Sequence, residues 1–365
     1  MRGISTIPLS VMLAACAGYH TVPPSDYSVA PPPVQRVVFD QAGDPYPLSD
    51  DAGGLAIPDQ PPNKNRAFTL RVYFQQRGVA YNREPILDAA ADRIVAGMRS
   101  TNAKRVVFII KGFNNSYDDF EREYTWMRDQ VIGKLDPDNV YFVQIYWDAI
   151  YRGKGTAPAP LAYFADSLTY SNHAGDCGLR DILRRLPTGT DVTFLTHSRG
   201  AAVALSSLFD PKYDKGITNN CQSSIMGHSL PDQLGDVRLV AFAPAIGDGH
   251  MRDSRDAART GIFKRLDRLY IGYNPNDPAV TKNYFGINIP DRFAGDTRLG
   301  GNTGYVELID KMLANAGLGD AFQFERFSRK SHDWEEYVTM SKETGCLLWA
   351  GKLITREPAG CSVTR

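Results

Sequence analysis

The 365-residue chain has no net charge, because 41 Lys and Arg balance 41 Asp and Glu. A general nucleic-acid binder needs a basic surplus to displace counterions from phosphates, so no nucleic-acid partner is expected. No run of 18 or more apolar residues occurs, and no helix is therefore expected to span a bilayer. No internal repeat is evident. The metalloprotease motif H-E-x-x-H is absent, and His332 with Glu336, at helical i, i+4 spacing, lacks a third ligand, so no metal is expected. Gly153-Lys154-Gly155-Thr156 lacks the upstream glycine spacing of a phosphate-binding loop, and no cofactor is implied. Cysteine is scarce and odd in number, at five. What the chain does have is apolar substance: 43% of its residues are hydrophobic, enough for a full core and too many for a disordered protein.

The N-terminus reads as an address. Arg2 is the only charge before residue 26, and Ile4 to Ala15 is mostly apolar but too short to cross a membrane. The stretch ends in Leu13-Ala14-Ala15-Cys16, which resembles the lipobox of bacterial lipoproteins. That resemblance implies a signal peptide over residues 1–15 and a lipidated Cys16, with several acyl chains anchoring the protein durably. Ala17, not Asp, follows the cysteine. In Gram-negative bacteria this favours the outer membrane, so the expected location is the cell envelope, facing the periplasm or the surface. Residues 16–65 hold ten of the 23 prolines and read as an anchor and extended tether, with Val37-Val38-Phe39 a small apolar cluster able to pack on the domain. Residues 66–365 are left for one catalytic-sized domain.

From residue 66 apolar strands alternate with amphipathic helices. Strands are expected at Thr69–Phe74, Val106–Ile110, Val140–Trp147, Val192–Leu195, Val237–Ala243, Leu269–Tyr273 and Phe322–Phe327. Pro85 starts a helix whose Leu87, Ala91, Ile94 and Met98 share a face. Ser116 caps another, lined by Phe120, Tyr124, Met127 and Val131. The pattern predicts the α/β class: a doubly wound, mostly parallel sheet of seven or eight strands. In such sheets ligands bind beyond the carboxyl ends of the strands, so the residues there are the candidates for chemistry.

Three strand ends carry those candidates. After Val192–Leu195 comes Thr196-His197-Ser198-Arg199-Gly200-Ala201-Ala202, which resembles the nucleophile elbow G-x-S-x-G of the α/β-hydrolase superfamily, with Thr196 in place of the first glycine. Val106–Ile110 runs into Lys111-Gly112-Phe113-Asn114, which resembles the His-Gly-Phe-Asn segment of bacterial serine hydrolases, with Lys111 in place of histidine. The resemblance implies an oxyanion hole built from the backbone N–H groups of Phe113 and Arg199. It leaves two roles open for Lys111: covering the site, or pairing with a carboxylate. The superfamily order is nucleophile, acid, histidine. Asp277 lies in the loop after Leu269–Tyr273, and His332 follows the last strand; Asp248, after Val237–Ala243, is the alternative acid. The resemblance thus implies Ser198, Asp277 and His332 as a catalytic set. His197 is expected to pack or hydrogen-bond, and His173, His228 and His250 to face solvent. Trp147 and Asp148 either shape the pocket or serve packing and a turn.

Once Cys16 is lipidated, Cys177, Cys221, Cys346 and Cys361 remain, an even set that suggests two disulfides in an exported domain. Three pairings are possible, and Cys177–Cys221 with Cys346–Cys361 closes the shorter loops. Segments 149–178 and 209–235 are long enough to act as lids, and Leu161, Tyr163 and Phe164 in the first hint at an acyl substrate. The leading expectation is an envelope-anchored serine esterase or lipase acting on a small-molecule or lipid ester. The same three residues would also serve peptidase or acyltransferase chemistry, and a non-catalytic hydrolase-fold binding platform is the alternative from outside enzymology.

Overall fold

The computed structural model describes residues 34–47, 69–113, 117–134, 138–148, 167–209, 233–251, 261–284, 287–288, 295–339 and 341–364. The signal, Cys16, the Gly153–Thr156 run, His228, Cys221 and most of both lid segments lie outside them.

Seven parallel strands form the central sheet: β1 (Val34–Phe39), β2 (Arg105–Ile110), β3 (Val140–Trp147), β4 (Asp191–His197), β5 (Val237–Phe242), β6 (Arg268–Tyr273) and β7 (Phe322–Arg326). Their spatial order is β1-β3-β2-β4-β5-β6-β7. The strands from β2 to β6 are buried on both faces apart from the first residues of β3, β4 and β6, which explains why they are mostly apolar, with only isolated polar residues such as Gln144, Thr193 and Arg238 among them. Alternate residues serve two cores. Val106, Phe108 and Ile110 face a layer built from α2 (Arg83–Thr101) and α4 (Gly200–Leu208). Val107 and Ile109 face a layer that includes α1 (Leu70–Gln75), Tyr124 of α3 (Tyr117–Trp126), Trp334, and Leu347 of α6 (Lys342–Ala350). A further helix, α5 (Thr303–Asn315), joins the first layer through Val306, Ile309 and Leu313.

Two segments adopt other secondary structure or positions than their sequence suggests. Val34–Phe39, counted in the proline-rich tether, is the edge strand of the sheet and pairs in register with β3 from Val34↔Phe142 to Phe39↔Trp147. The folded unit therefore reaches back at least to residue 34, not 66. Prolines flank this strand but none falls inside it, so its ladder with β3 is complete. Thr69–Phe74, expected as a strand, is the helix α1. Leu70, Tyr73 and Phe74 are buried while Val72 is 48% exposed, a period of 3.6 and not 2. Thr69 caps it, its Oγ1 accepting from Val72 N at 3.4 Å.

Residues 167–173, expected within the first lid, are helical and lead into a turn of π-helix, Ala174–Leu179, buried throughout against α4. This part of the segment is core. The Cys346–Cys361 disulfide is present, joining α6 to the C-terminal segment across a Cα–Cα distance of 5.4 Å. Cys177 is disulfide-bonded as well; Cys221, its expected partner, lies outside the described residues. Among the described residues no helix is long and apolar enough to cross a membrane.

Candidate active site

β4 ends at His197, and the chain turns at once into α4, with Ser198 at the turn. Ser198 has φ +54°, a left-handed conformation that costs a non-glycine residue about 1–3 kcal/mol and persists only where the surroundings enforce it. They do so through two backbone bonds: Ser198 N donates to Phe242 O at 3.0 Å, and Ala245 N donates to Ser198 O at 3.1 Å. The turn forces α4 against β2. A Cβ on Gly200 would lie 2.2 Å from the Ile110 carbonyl oxygen, and a Cβ on Gly112 would lie 2.5 Å from Ser198 Cβ and 2.9 Å from its Oγ. Gly112 and Ser198 therefore face each other directly, and the segment after β2 is set against the turn after β4.

The loop after β6 supplies Asp277, which is fully buried. It caps the short helix Pro278–Thr281, its Oδ1 accepting from Ala279 N at 2.8 Å and Val280 N at 3.4 Å. Its Oδ2 bonds His332 Nδ1 at 2.6 Å. The acid and histidine expected from two separate loops are thus directly joined. His332 also lies over His197, with ring centroids 4.6 Å apart, so the residue before Ser198 touches the imidazole held by Asp277. His197 is enclosed further by Trp334 (5.3 Å, edge-on) and Tyr337 (5.6 Å). Burial, with His332 and Lys111 nearby, pushes His197 well below the ordinary histidine range. It packs as a buried ring, one of the two roles expected of it.

Asp248 lies in the turn Asp248–Met251 after β5, while the carboxylate on His332 is that of Asp277. Lys111 is buried and forms an ion pair with Glu123 of α3, so of its two open roles it takes the pairing one. Its carbonyl accepts from Trp147 Nε1 at 2.7 Å, and its N–H donates to Tyr124 Oη at 3.1 Å. Trp147 is 3% exposed and so braces this loop from within. Phe113, half-buried, follows Gly112, and Arg199 is fully buried at the start of α4. Two histidines expected in solvent are not there. His250 is buried and pushed down to about 4, first by burial and then by Arg199. His173 is half-buried, its Nδ1 2.9 Å from Gln41 O. Both lie in segments that also hold polar residues, such as Asn172 and Asp248, but tertiary packing covers them.

Two residues that sequence reasoning passed over belong to this cluster. Tyr337 Oη donates to Asp277 Oδ2, and Asn274 Nδ2 donates to Tyr337 Oη at 2.8 Å. Among the described residues no group of three or more His, Cys, Asp or Glu side chains is placed to hold a metal ion.

A parallel sheet in this strand order places a strained serine after one central strand. A glycine-bearing segment from the neighbouring strand faces that serine, and a buried acid bonded to histidine comes from the last two loops. The fold is that of the α/β hydrolases. Residues 87–234 match the family model described as "Alpha/beta hydrolase of unknown function (DUF900)". Among solved structures, the chain is similar to Thermogutta terrifontis esterase 2 phosphorylated by paraoxon. That match has 11% identity and a TM-score of 0.32, over 64% of this chain and 73% of that one. The propionate-bound form of the same thermophilic esterase matches at 13% identity and a TM-score of 0.27, over 64% and 74% of the two chains. No curated protein matches the chain.

Proposed function

We propose that the protein is a serine hydrolase that cleaves carboxylic esters, with Ser198 as nucleophile, His332 as general base and acid, and Asp277 as the buried acid. The observation that carries this reading is the bond between Asp277 Oδ2 and His332 Nδ1. A carboxylate on Nδ1 fixes the tautomer that leaves Nε2 free to take a proton, and it stabilises the imidazolium that results. Ser198 loses its proton to His332 as its oxygen attacks the ester carbonyl. The tetrahedral intermediate collapses as His332 returns the proton to the departing alcohol, leaving an acyl group on Ser198. Water, activated by the same histidine, then releases the acid. The backbone N–H groups of Phe113 and Arg199 are the proposed oxyanion donors, a role worth about 3 kcal/mol per donor in studied enzymes. Because these donors belong to the backbone, the role does not depend on whether histidine or Lys111 precedes Gly112.

The envelope location belongs to the same proposal: lipid on Cys16 holds the domain at a membrane, within reach of small-molecule or lipid esters. A fluorophosphonate probe tests the chemistry. It labels the wild-type protein and not Ser198→Ala, and an unlabelled wild type overturns the reading. A p-nitrophenyl ester series of increasing acyl length then assigns the substrate class, with turnover of peptides alone pointing to a peptidase instead. Cys16→Ser leaves the protein in the soluble fraction after cell lysis; a variant still lipidated and membrane-bound removes the anchor.

A further inference from the structure

We infer that Tyr337 and Asn274 are positioning residues of this site, Tyr337 sharing with His332 a single oxygen of Asp277 and so limiting how strongly that carboxylate holds the imidazolium. The inference rests on the reading of Asp277 and His332 as acid and base of a hydrolase.

The division of labour on Asp277 carries the argument. Oδ1 is taken by two backbone donors, Ala279 N and Val280 N, which lock the carboxylate plane. Oδ2 receives both His332 Nδ1 and the Tyr337 hydroxyl. A tyrosine has one hydroxyl proton, and its direction is settled here by Asn274. The Asn274 amide donates to Tyr337 Oη at 2.8 Å and to Arg329 O at 3.0 Å, while its Oδ1 accepts from Asn276 N at 3.1 Å. With that lone pair occupied, the hydroxyl proton points to Asp277. Tyr337 and Asn274 are both fully buried, so no solvent competes for these bonds. Burial and the adjacent carboxylate push the Tyr337 hydroxyl far above the ordinary tyrosine range, which keeps it a donor wherever the protein is folded.

A donor on a carboxylate oxygen draws off part of its charge, and the second donor on the same oxygen is then held less tightly. Without the Tyr337 hydroxyl, Oδ2 concentrates on His332 and favours its protonated form. The base is then occupied by a proton up to a higher pH. Other titratable or charged groups around this cluster are His197 from β4, Lys111 after β2 with its partner Glu123 from α3, Glu336 beside Tyr337, and Arg329, whose carbonyl accepts from Asn274 and whose guanidinium lies over Phe327. All are common to wild type and variant, so a difference between the two isolates the hydroxyl.

The experiment compares wild type, Tyr337→Phe and Asn274→Ala in two ways: the pH profile of kcat/KM on a p-nitrophenyl ester, and the imidazole titration of His332 followed by NMR. For Tyr337→Phe the acid-side midpoint moves up by roughly half to one pH unit, with KM changed by less than about twofold. For Asn274→Ala it moves in the same direction by less, and this variant serves if Tyr337→Phe fails to fold. Midpoints that stay within about 0.2 unit of wild type overturn the inference, whatever happens to kcat. The NMR titration needs no turnover. A protein that neither labels nor hydrolyses esters, yet shows the shift, would sink the hydrolase reading and leave the role of Tyr337 standing.

Discussion

Acidification should destabilise this protein through His250. The ring is buried, and its folded-state value is pushed down to about 4 by burial and by the nearby Arg199, with Asp296 partly offsetting them. In the unfolded chain a histidine titrates near 6.5. Between those values the unfolded state binds a proton that the folded state refuses, so stability falls as the pH falls. The contribution is fully present above about pH 6.5 and is lost as the pH drops toward 4. A gap of about 2.5 units corresponds to about 3 kcal/mol at the bottom of the window, and about 2 kcal/mol is already gone at pH 5. Other groups also respond. His197 shifts in the same direction, and the buried Asp40 carboxyl is pushed up and responds oppositely. Asp236 is held below the usual carboxylate range by Arg238, Lys352 and Arg105, so its contribution is lost only under more acid conditions. A comparison with His250→Asn removes all three, because they are common to both proteins. Urea unfolding at pH 7.5 and pH 5 is the assay. Wild type should lose about 2 kcal/mol more than His250→Asn between the two conditions. If the two proteins lose stability in parallel, His250 is not held neutral in the fold and the argument fails.

Three further outcomes follow from the geometry. Gly112→Ala puts a Cβ within 2.5 Å of Ser198 Cβ; ester turnover and fluorophosphonate labelling should fall at least about a hundredfold, while urea unfolding shows a loss of about 1–3 kcal/mol. Asp277→Asn should abolish most turnover and Asp248→Asn should keep it; the opposite result in an ester assay would move the acid to the loop after β5. Replacing Cys346 and Cys361 together by Ala opens a loop of sequence separation 15, and chemical unfolding should report a loss of about 3 kcal/mol with little change in KM.

The strands β2 to β6 are legible to within two residues at either end because each is a short, mostly apolar stretch rich in β-branched and aromatic residues, as strands buried on both faces are. The two misreadings have different causes. β1 is a single edge strand set among prolines, so composition over a window hid six residues that individually suit a ladder. The run Leu70 to Phe74 is too short for periodicity to separate helix from strand, and burial of Leu70, Tyr73 and Phe74 decided it. At the site, Ser198, Asp277 and His332 could be named because each follows a strand in a fixed order. Tyr337 and Asn274 could not: they meet across a separation of 63 residues through one hydroxyl, which no spacing encodes. The partner of Lys111 was hidden for a similar reason, since Glu123 reaches it from the next helix.

The departure at Thr196 illustrates where the elbow's steric demand falls. The superfamily pattern has glycine two residues before the nucleophile, and Thr196 is larger and β-branched. In this fold Thr196 is still a strand residue, paired with Ile110 on one side and Ala241 on the other. Its side chain is buried, and its hydroxyl is directed at Val240 O, 3.4 Å away. An extended conformation accepts a β-branched residue readily. The crowded positions are Gly200, pressed on the carbonyl of Ile110, and Gly112, pressed on Ser198 itself. Both carry glycine in this chain. The turn that carries a serine between strand and helix therefore depends on small residues after the serine and across from it, and a threonine before it is compatible with the same geometry.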